Sequence, residues 1–197
     1  MTMALQLIGS LTSPYARKMR LLLQNEVGYE FKSINYLEKN DSDYLKSINP
    51  LNQIPVLIDN GVTIYDSRVI YNYFAAKKGW ARLSIESENY LSAIDTALDT
   101  GINLFSLRRG GLNITDGSNG YIERQRERIP LILNYLTPWV KGLTPEKDWN
   151  FVTMSLYSFL FWIEFREVYS LKGHPEMTAF LERFKNAPGV AETAIPT

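Results

Sequence analysis

One short stretch constrains this fold more than any other. Residues Asp59, Asn60 and Gly61 separate two four-residue apolar runs, Pro55-Val56-Leu57-Ile58 and Val62-Thr63-Ile64-Tyr65. An Asn-Gly pair supplies the positive φ angles that a tight hairpin turn needs, so these runs are expected to pair as an antiparallel hairpin. Directly after it, Asp66 and Ser67 offer side-chain oxygens suited to cap a helix running through Val69, Ile70, Tyr73 and Phe74. Upstream, residues 4–9 read as a short buried strand. Residues 14–25 switch to a helical pattern with Met19, Leu22 and Leu23 inward and Pro14 at the first helical position. Residues 29–36 return to alternation, and residues 41–47 read as a short polar helix. The expected order is β-α-β-α-β-β-α.

Residues 77–82, with Gly79, form a polar break after which no strand pattern returns. The chain is therefore read as an α/β domain over residues 1–78 and an all-α helical bundle over residues 84–197. In the second part, Leu91, Ile94, Leu98 and Phe105 fall at helical spacing within 86–109, where Gly101 is expected to bend the helix. Residues 119–141 contain Pro130, which lacks a backbone donor and is expected to kink or interrupt the helix. Helices are also expected over 150–169 and 175–186. The apolar run 151–163 is too short for the ~18–20 residues that span a bilayer, and reads as a buried core helix.

Composition narrows the function. Lys plus Arg and Asp plus Glu number 21 each, so no net field favours nucleic acid or an anionic membrane. The absence of cysteine excludes disulfides, thiolate metal sites and a protein thiol nucleophile, so any reactive sulfur has to arrive with a ligand. No metal-ligand cluster or phosphate-binding glycine motif is visible. His174, the single histidine, precedes proline and reads as a loop residue. The first nine residues lack the features of a secretory signal, and a cytoplasmic location is expected.

Asn49-Pro50-Leu51-Asn52-Gln53-Ile54-Pro55-Val56-Leu57, followed after the hairpin by Tyr65-Asp66-Ser67-Arg68-Val69-Ile70, resembles the central signature of cytosolic glutathione transferases. The opening Ser10-Leu11-Thr12-Ser13-Pro14-Tyr15-Ala16-Arg17-Lys18 resembles the first β-α turn of bacterial members and of the serine- and cysteine-type classes. His174-Pro175 through Ala187-Pro188 resembles the family's final helix. The resemblance implies a thioredoxin-like glutathione-binding domain, a helical partner domain and a homodimer.

It also implies roles for particular residues. Pro55 aligns with the family's cis-proline, which exposes the backbone of the preceding residue, here Ile54, to pair with the cysteinyl part of glutathione. Asp66 and Ser67 align with the pair that receives its γ-glutamyl end, the carboxylate for the ammonium, and the hydroxyl with the helix N-terminus for the α-carboxylate. Gln53 is a further candidate through its side-chain amide. Ser13 falls where relatives carry the reactive cysteine or the activating serine, and would favour the thiolate of glutathione beside the positive end of a helix dipole. Read without the resemblance, Asp66-Ser67 and Ser13 are ordinary helix caps and Pro55 a strand-start proline. Thr12 and Ser10 lie close enough in sequence to take Ser13's role instead, and Tyr15 is a further candidate hydroxyl donor to the thiol.

Arg17 reads as a solvated or domain-contact charge. Arg108 and Arg109 border the family's pocket for the electrophile, or else complement a helix C-terminus. Asn150 can cap the central helix of the second domain, but Thr153 lacks the carboxylate that relatives offer in return. The activity implied is attack of activated glutathione, a co-substrate, on a small electrophilic or hydrophobic substrate without a metal. The alternatives are a binding or interaction protein of the same fold without catalysis, and a glutathione-dependent disulfide reductase.

Overall fold

The computed structural model describes residues 5–26, 28–115, 117 and 119–196. Ala4, the first residue of the expected opening strand, lies outside the described residues. The chain divides into two compact units, one made of Met1–Arg82 with Pro188–Thr197, the other of Leu83–Ala187. The closing segment, which the sequence reading left with the helical domain, thus clusters with the first unit.

The first unit follows the order β1 (Gln6–Gly9), α1 (Pro14–Glu26), β2 (Glu30–Ser33), α2 (Lys39–Ile48), β3 (Val56–Asp59), β4 (Val62–Tyr65) and α3 (Ser67–Lys78). Its sheet order is β2-β1-β3-β4, with β1 and β2 parallel and the pairs β1–β3 and β3–β4 antiparallel. This is the thioredoxin-like arrangement. The hairpin forms as expected, with φ of 49° at Asn60 and 81° at Gly61. Alternation divides the central strands β1 and β3 between two covered faces. Ile8 and Val56 pack with Ile34 and with Leu45 of α2, while Leu7 and Leu57 are buried on the opposite side. Gly9 has a steric reason: a Cβ there would stand 2.7 Å from the Cβ of Ala16, so glycine lets α1 lie close to the end of β1.

Residues 188–197 close this unit. Thr193 donates its N–H and its hydroxyl to the Gly189 carbonyl, at 3.0 and 2.8 Å, which winds the segment into a helical turn. Arg17 donates to the Val190 carbonyl at 3.3 Å, and Arg20 to those of Glu192 and Thr193 at 3.0 and 3.3 Å. Arg17 is 1% exposed, so of its two readings, a solvated charge or a domain-contact charge, burial excludes the first. Burial pushes the Arg20 guanidinium down from its ordinary pKa, against the opposing effect of Tyr29.

The second unit contains α4 (Ile85–Arg109), α5 (Gly120–Val140), α6 (Pro145–Asp148), α7 (Phe151–Phe165), a 3₁₀ turn (Leu171–Gly173) and α8 (Pro175–Phe184). α7 is buried along most of its length and lies against α4 and α8. α4 runs continuously through Gly101. A Cβ there would come within 3.4 Å of the Trp162 ring, so the glycine serves close packing against α7. α5 likewise continues through Pro130 and Pro138, where the sequence led us to expect a kink or interruption at Pro130. Its buried residues Ile122, Ile129, Leu133, Leu136 and Val140 are distributed on both sides of Pro130, so packing supports each half.

The cap of α7 is complete despite the missing carboxylate. Asn150 Oδ1 accepts from the N–H groups of Val152 and Thr153 at 3.0 and 3.4 Å, and the Asn150 N–H donates to Thr153 Oγ1 at 3.0 Å. A hydroxyl lone pair replaces the carboxylate as the returning acceptor. Among the described residues, no helix is long and apolar enough to cross a membrane.

Candidate functional site

The strand registers determine which loops meet. In β1 and β3 Ile8 stands opposite Val56, and in β3 and β4 Val56 stands opposite Tyr65. The end of β1, the start of β3 and the end of β4 therefore lie side by side at one end of the sheet. Each is joined to a candidate segment: residues 10–13 follow β1, Ile54 and Pro55 precede β3, and Asp66 and Ser67 follow β4. Three segments widely separated in sequence come to one sheet end because β1–β3 and β3–β4 are both antiparallel.

Ser13 is half-buried and caps α1, with Oγ accepting from the Ala16 N–H at 3.2 Å and the carbonyl accepting from the Arg17 N–H at 2.9 Å. An N-cap hydroxyl uses its lone pair in this contact and keeps its proton to donate elsewhere. The competing hydroxyls are differently engaged. Ser10 Oγ accepts from the Thr12 N–H at 3.4 Å and lies 3.3 Å from Thr12 Oγ1. Tyr15 has Lys18 Nζ 5.2 Å from its ring centre.

The Ile54–Pro55 peptide bond is cis, as the resemblance implied. Ile54 is half-buried, and among the described residues its backbone makes no hydrogen bond. The loop before it is built around Asn49, a residue that sequence reasoning gave no role. Asn49 is buried, donates from Nδ2 to the Gln53 carbonyl at 2.7 Å and accepts at Oδ1 from the Leu51 N–H at 2.9 Å. The Gln53 side chain is exposed. Burial is the signal that would have singled out Asn49, since a buried amide is retained where it satisfies backbone groups.

Asp66 is exposed and caps α3, with Oδ1 accepting from the Arg68 N–H at 2.7 Å. Its backbone lies at φ 68° and ψ 135°, a region sparsely populated by residues other than glycine. Ser67, the first residue of α3, is 5% exposed, and among the described residues its hydroxyl has no hydrogen-bond partner. This sheet end thus combines a free backbone segment, a carboxylate, a free hydroxyl and the N-termini of α1 and α3. Chemically, that set suits a zwitterionic, peptide-like ligand.

The opposite end of the hairpin carries a structural ion pair. Asp59 accepts from Tyr73 Oη at 2.7 Å and from Lys77 Nζ, and Asn60 Nδ2 donates to its other oxygen at 2.9 Å. The hydrogen bond from Lys77 is the main cause that holds the Asp59 carboxyl below its ordinary pKa. In the second unit, Arg108 donates to the carbonyls of Arg166 and Glu167, just past the end of α7, at 2.5 and 2.8 Å. His174 is buried at the start of α8 with Nε2 2.9 Å from Tyr169 Oη, and burial pushes its pKa down. Among the described residues no three His, Cys, Asp or Glu side chains are grouped to hold a metal.

Comparison with known proteins agrees with this architecture. The family model for the glutathione S-transferase N-terminal domain matches residues 7–82. An uncharacterised GST-like protein, YibF of Escherichia coli (strain K12), is 31% identical over 173 residues, covering 83% of this chain and 84% of that one. The chain belongs to the glutathione S-transferase family. Among solved structures, a glutathione S-transferase of Methylobacterium radiotolerans in complex with glutathione sulfonate superposes with a TM-score of 0.81 at 20% identity, over 98% of this chain and 94% of that one. A glutathione S-transferase of Methylobacillus flagellatus with GSH bound gives a TM-score of 0.81 at 19% identity, over 98% and 100%. At these identities the likeness is one of fold.

Proposed function

We propose that this chain binds glutathione at the sheet end described above and activates its thiol for attack on a small electrophile, as a cytoplasmic, homodimeric glutathione transferase. The observation that carries the reading is the shared register of β1, β3 and β4, which groups Ser13, Ile54, Asp66 and Ser67 at one end of the sheet. The solved relatives with glutathione or its sulfonate bound supply the ligand.

In this reading the cysteinyl backbone of glutathione pairs with the unpaired backbone of Ile54 in the manner of an added strand. The Asp66 carboxylate meets the ligand's ammonium. Ser67 Oγ and the first N–H groups of α3 donate to its α-carboxylate. Gln53, with its amide exposed, adds a hydrogen bond at the rim. The thiol's proton leaves to water, Ser13 Oγ–H donates a hydrogen bond to the resulting thiolate sulfur, and the positive end of α1 stabilises its charge. A free thiol ionises near pKa ~8.5, and a helix N-terminus with a hydroxyl donor brings the thiolate within reach of neutral pH. The thiolate then forms a C–S bond with the electrophile. Addition takes up a proton from water; substitution expels the leaving group as an anion.

Two measurements test this. Millimolar glutathione should raise the melting temperature, because a ligand at ~100 times its dissociation constant stabilises the native state by about 2.7 kcal/mol. No shift would overturn the binding reading. Ser13→Ala should retain glutathione affinity while losing roughly a hundredfold in turnover, the scale of one removed charge-stabilising donor. Undiminished turnover would remove Ser13 from its role.

A further inference from the structure

Arg166 follows α7 directly, and among the described residues its guanidinium has no hydrogen-bond acceptor. The guanidinium carbon lies 5.2 Å from the centre of the Phe105 ring and 5.0 Å from that of Phe165. Its Nε is buried without a hydrogen-bond partner, and among the described residues no carboxylate pairs with it. The neighbouring Glu164 carboxylate accepts from the Leu171 N–H at 3.2 Å.

Phe105 carries a second cation, the Arg108 guanidinium, 5.9 Å from its ring centre. That charge is compensated, because Arg108 donates to the carbonyls of Arg166 and Glu167 that terminate α7. The same bonds hold the backbone of Arg166 in place, and Glu167 turns away from the helix at φ 51°. Two guanidinium groups therefore share one ring, and among the described residues only that of Arg108 has acceptors. Aromatic faces hold a guanidinium and partly desolvate it, which strengthens its attraction for an anion. Its planar fork matches a carboxylate or sulfonate.

An apolar surface adjoins the charge. Tyr157, Phe161 and Phe165 stand four residues apart along α7, with ring centres 6.4 Å apart and interplanar angles of 19° and 17°. The final ring, Phe165, is 39% exposed. A planar ligand ring can extend such a ladder.

We propose that Arg166, Phe105 and Phe165 form a binding site for a small aromatic acid, its carboxylate or sulfonate on the Arg166 guanidinium and its ring against the aromatic ladder. Calling that acid the electrophilic co-substrate rests on the proposed function; its binding to the helical unit does not.

The test is isothermal titration of the intact protein with 2-naphthoate and with neutral, nearly isosteric 2-naphthamide, without glutathione. Naphthoate should bind at least about tenfold tighter, the scale of hydrogen bonds to a charged group. In Arg166→Gln the preference should vanish while naphthamide affinity stays unchanged, and Arg166→Lys should restore part of it. Equal affinities in the wild type, no binding of either compound at millimolar concentration, or a preference that survives in Arg166→Gln would each overturn the site. The wild-type comparison can overturn the site even if a variant does not fold. Glutathione titrated into the same samples separates the readings: intact naphthoate preference without glutathione binding sinks only the proposed function, and the converse sinks only this site.

Discussion

Asp66 holds a backbone conformation, φ 68° and ψ 135°, that costs a residue with a Cβ ~1–3 kcal/mol. Glycine there relieves that cost and is only a few tenths of a kcal/mol poorer as a helix cap. Asp66→Gly should therefore raise unfolding free energy by about 1 kcal/mol in urea denaturation, while abolishing the stabilisation conferred by glutathione. A variant that is more stable and still fully responsive to glutathione would show that the carboxylate serves no ligand. Asp59 behaves oppositely. Its folded pKa is depressed, so its contribution to stability is present above the unfolded carboxylate pKa of ~3.9 and is lost as pH falls through the lower folded value. Asp59→Asn should cost about 1–2 kcal/mol at pH 7, the scale of a hydrogen bond to a charged group, with the gap to wild type closing in denaturation series taken below pH 4.

At the scale of elements, the two most informative features are a cap and a tail. Thr153→Val should destabilise α7 by about 0.5–1.5 kcal/mol, because it removes one of the two acceptors of the Asn150 N–H, the Asp148 carbonyl at 3.0 Å being the other, and the hydroxyl's own hydrogen bonds. Truncation after Ala187 should cost about 3–5 kcal/mol, since it deprives Arg17 and Arg20 of the carbonyls of Val190, Glu192 and Thr193. If Arg20→Met in the truncated chain recovers part of that loss in thermal melts, the cost lies in the stranded charge. These elements differ in how far they can be read from sequence. The hairpin and the start of α3 are legible because Asn60-Gly61 and Asp66-Ser67 act on their own neighbours. The tail is not, because Arg17 and Val190 are 173 positions apart and no local pattern links them. α6, of four residues, is too short for helical periodicity to register. Of the two outcomes expected at Pro130, interruption does not occur, for a related reason: a missing donor is a local property, whereas the packing that keeps α5 continuous is not.

For the whole molecule, the site is legible residue by residue but not as an assembly. The candidates Ser13, Ile54, Asp66 and Ser67 are each suggested by the resemblance of a short motif, yet their meeting depends on strand registers that a linear pattern does not encode. Asn49 and Arg166 escape such reading altogether, one because its importance lies in burial, the other because its meaning lies in what it lacks. The closing segment also bears on how the protein is made. Chains emerge from the ribosome N-terminus first at ~5–20 residues per second, and early domains ordinarily finish folding before later ones appear. Here the first unit needs residues 188–197, so it stays incomplete while the intervening helices are synthesised, for roughly 5–20 s. During that interval α1 waits with two arginines destined for burial, and its open surface is a natural client for chaperones.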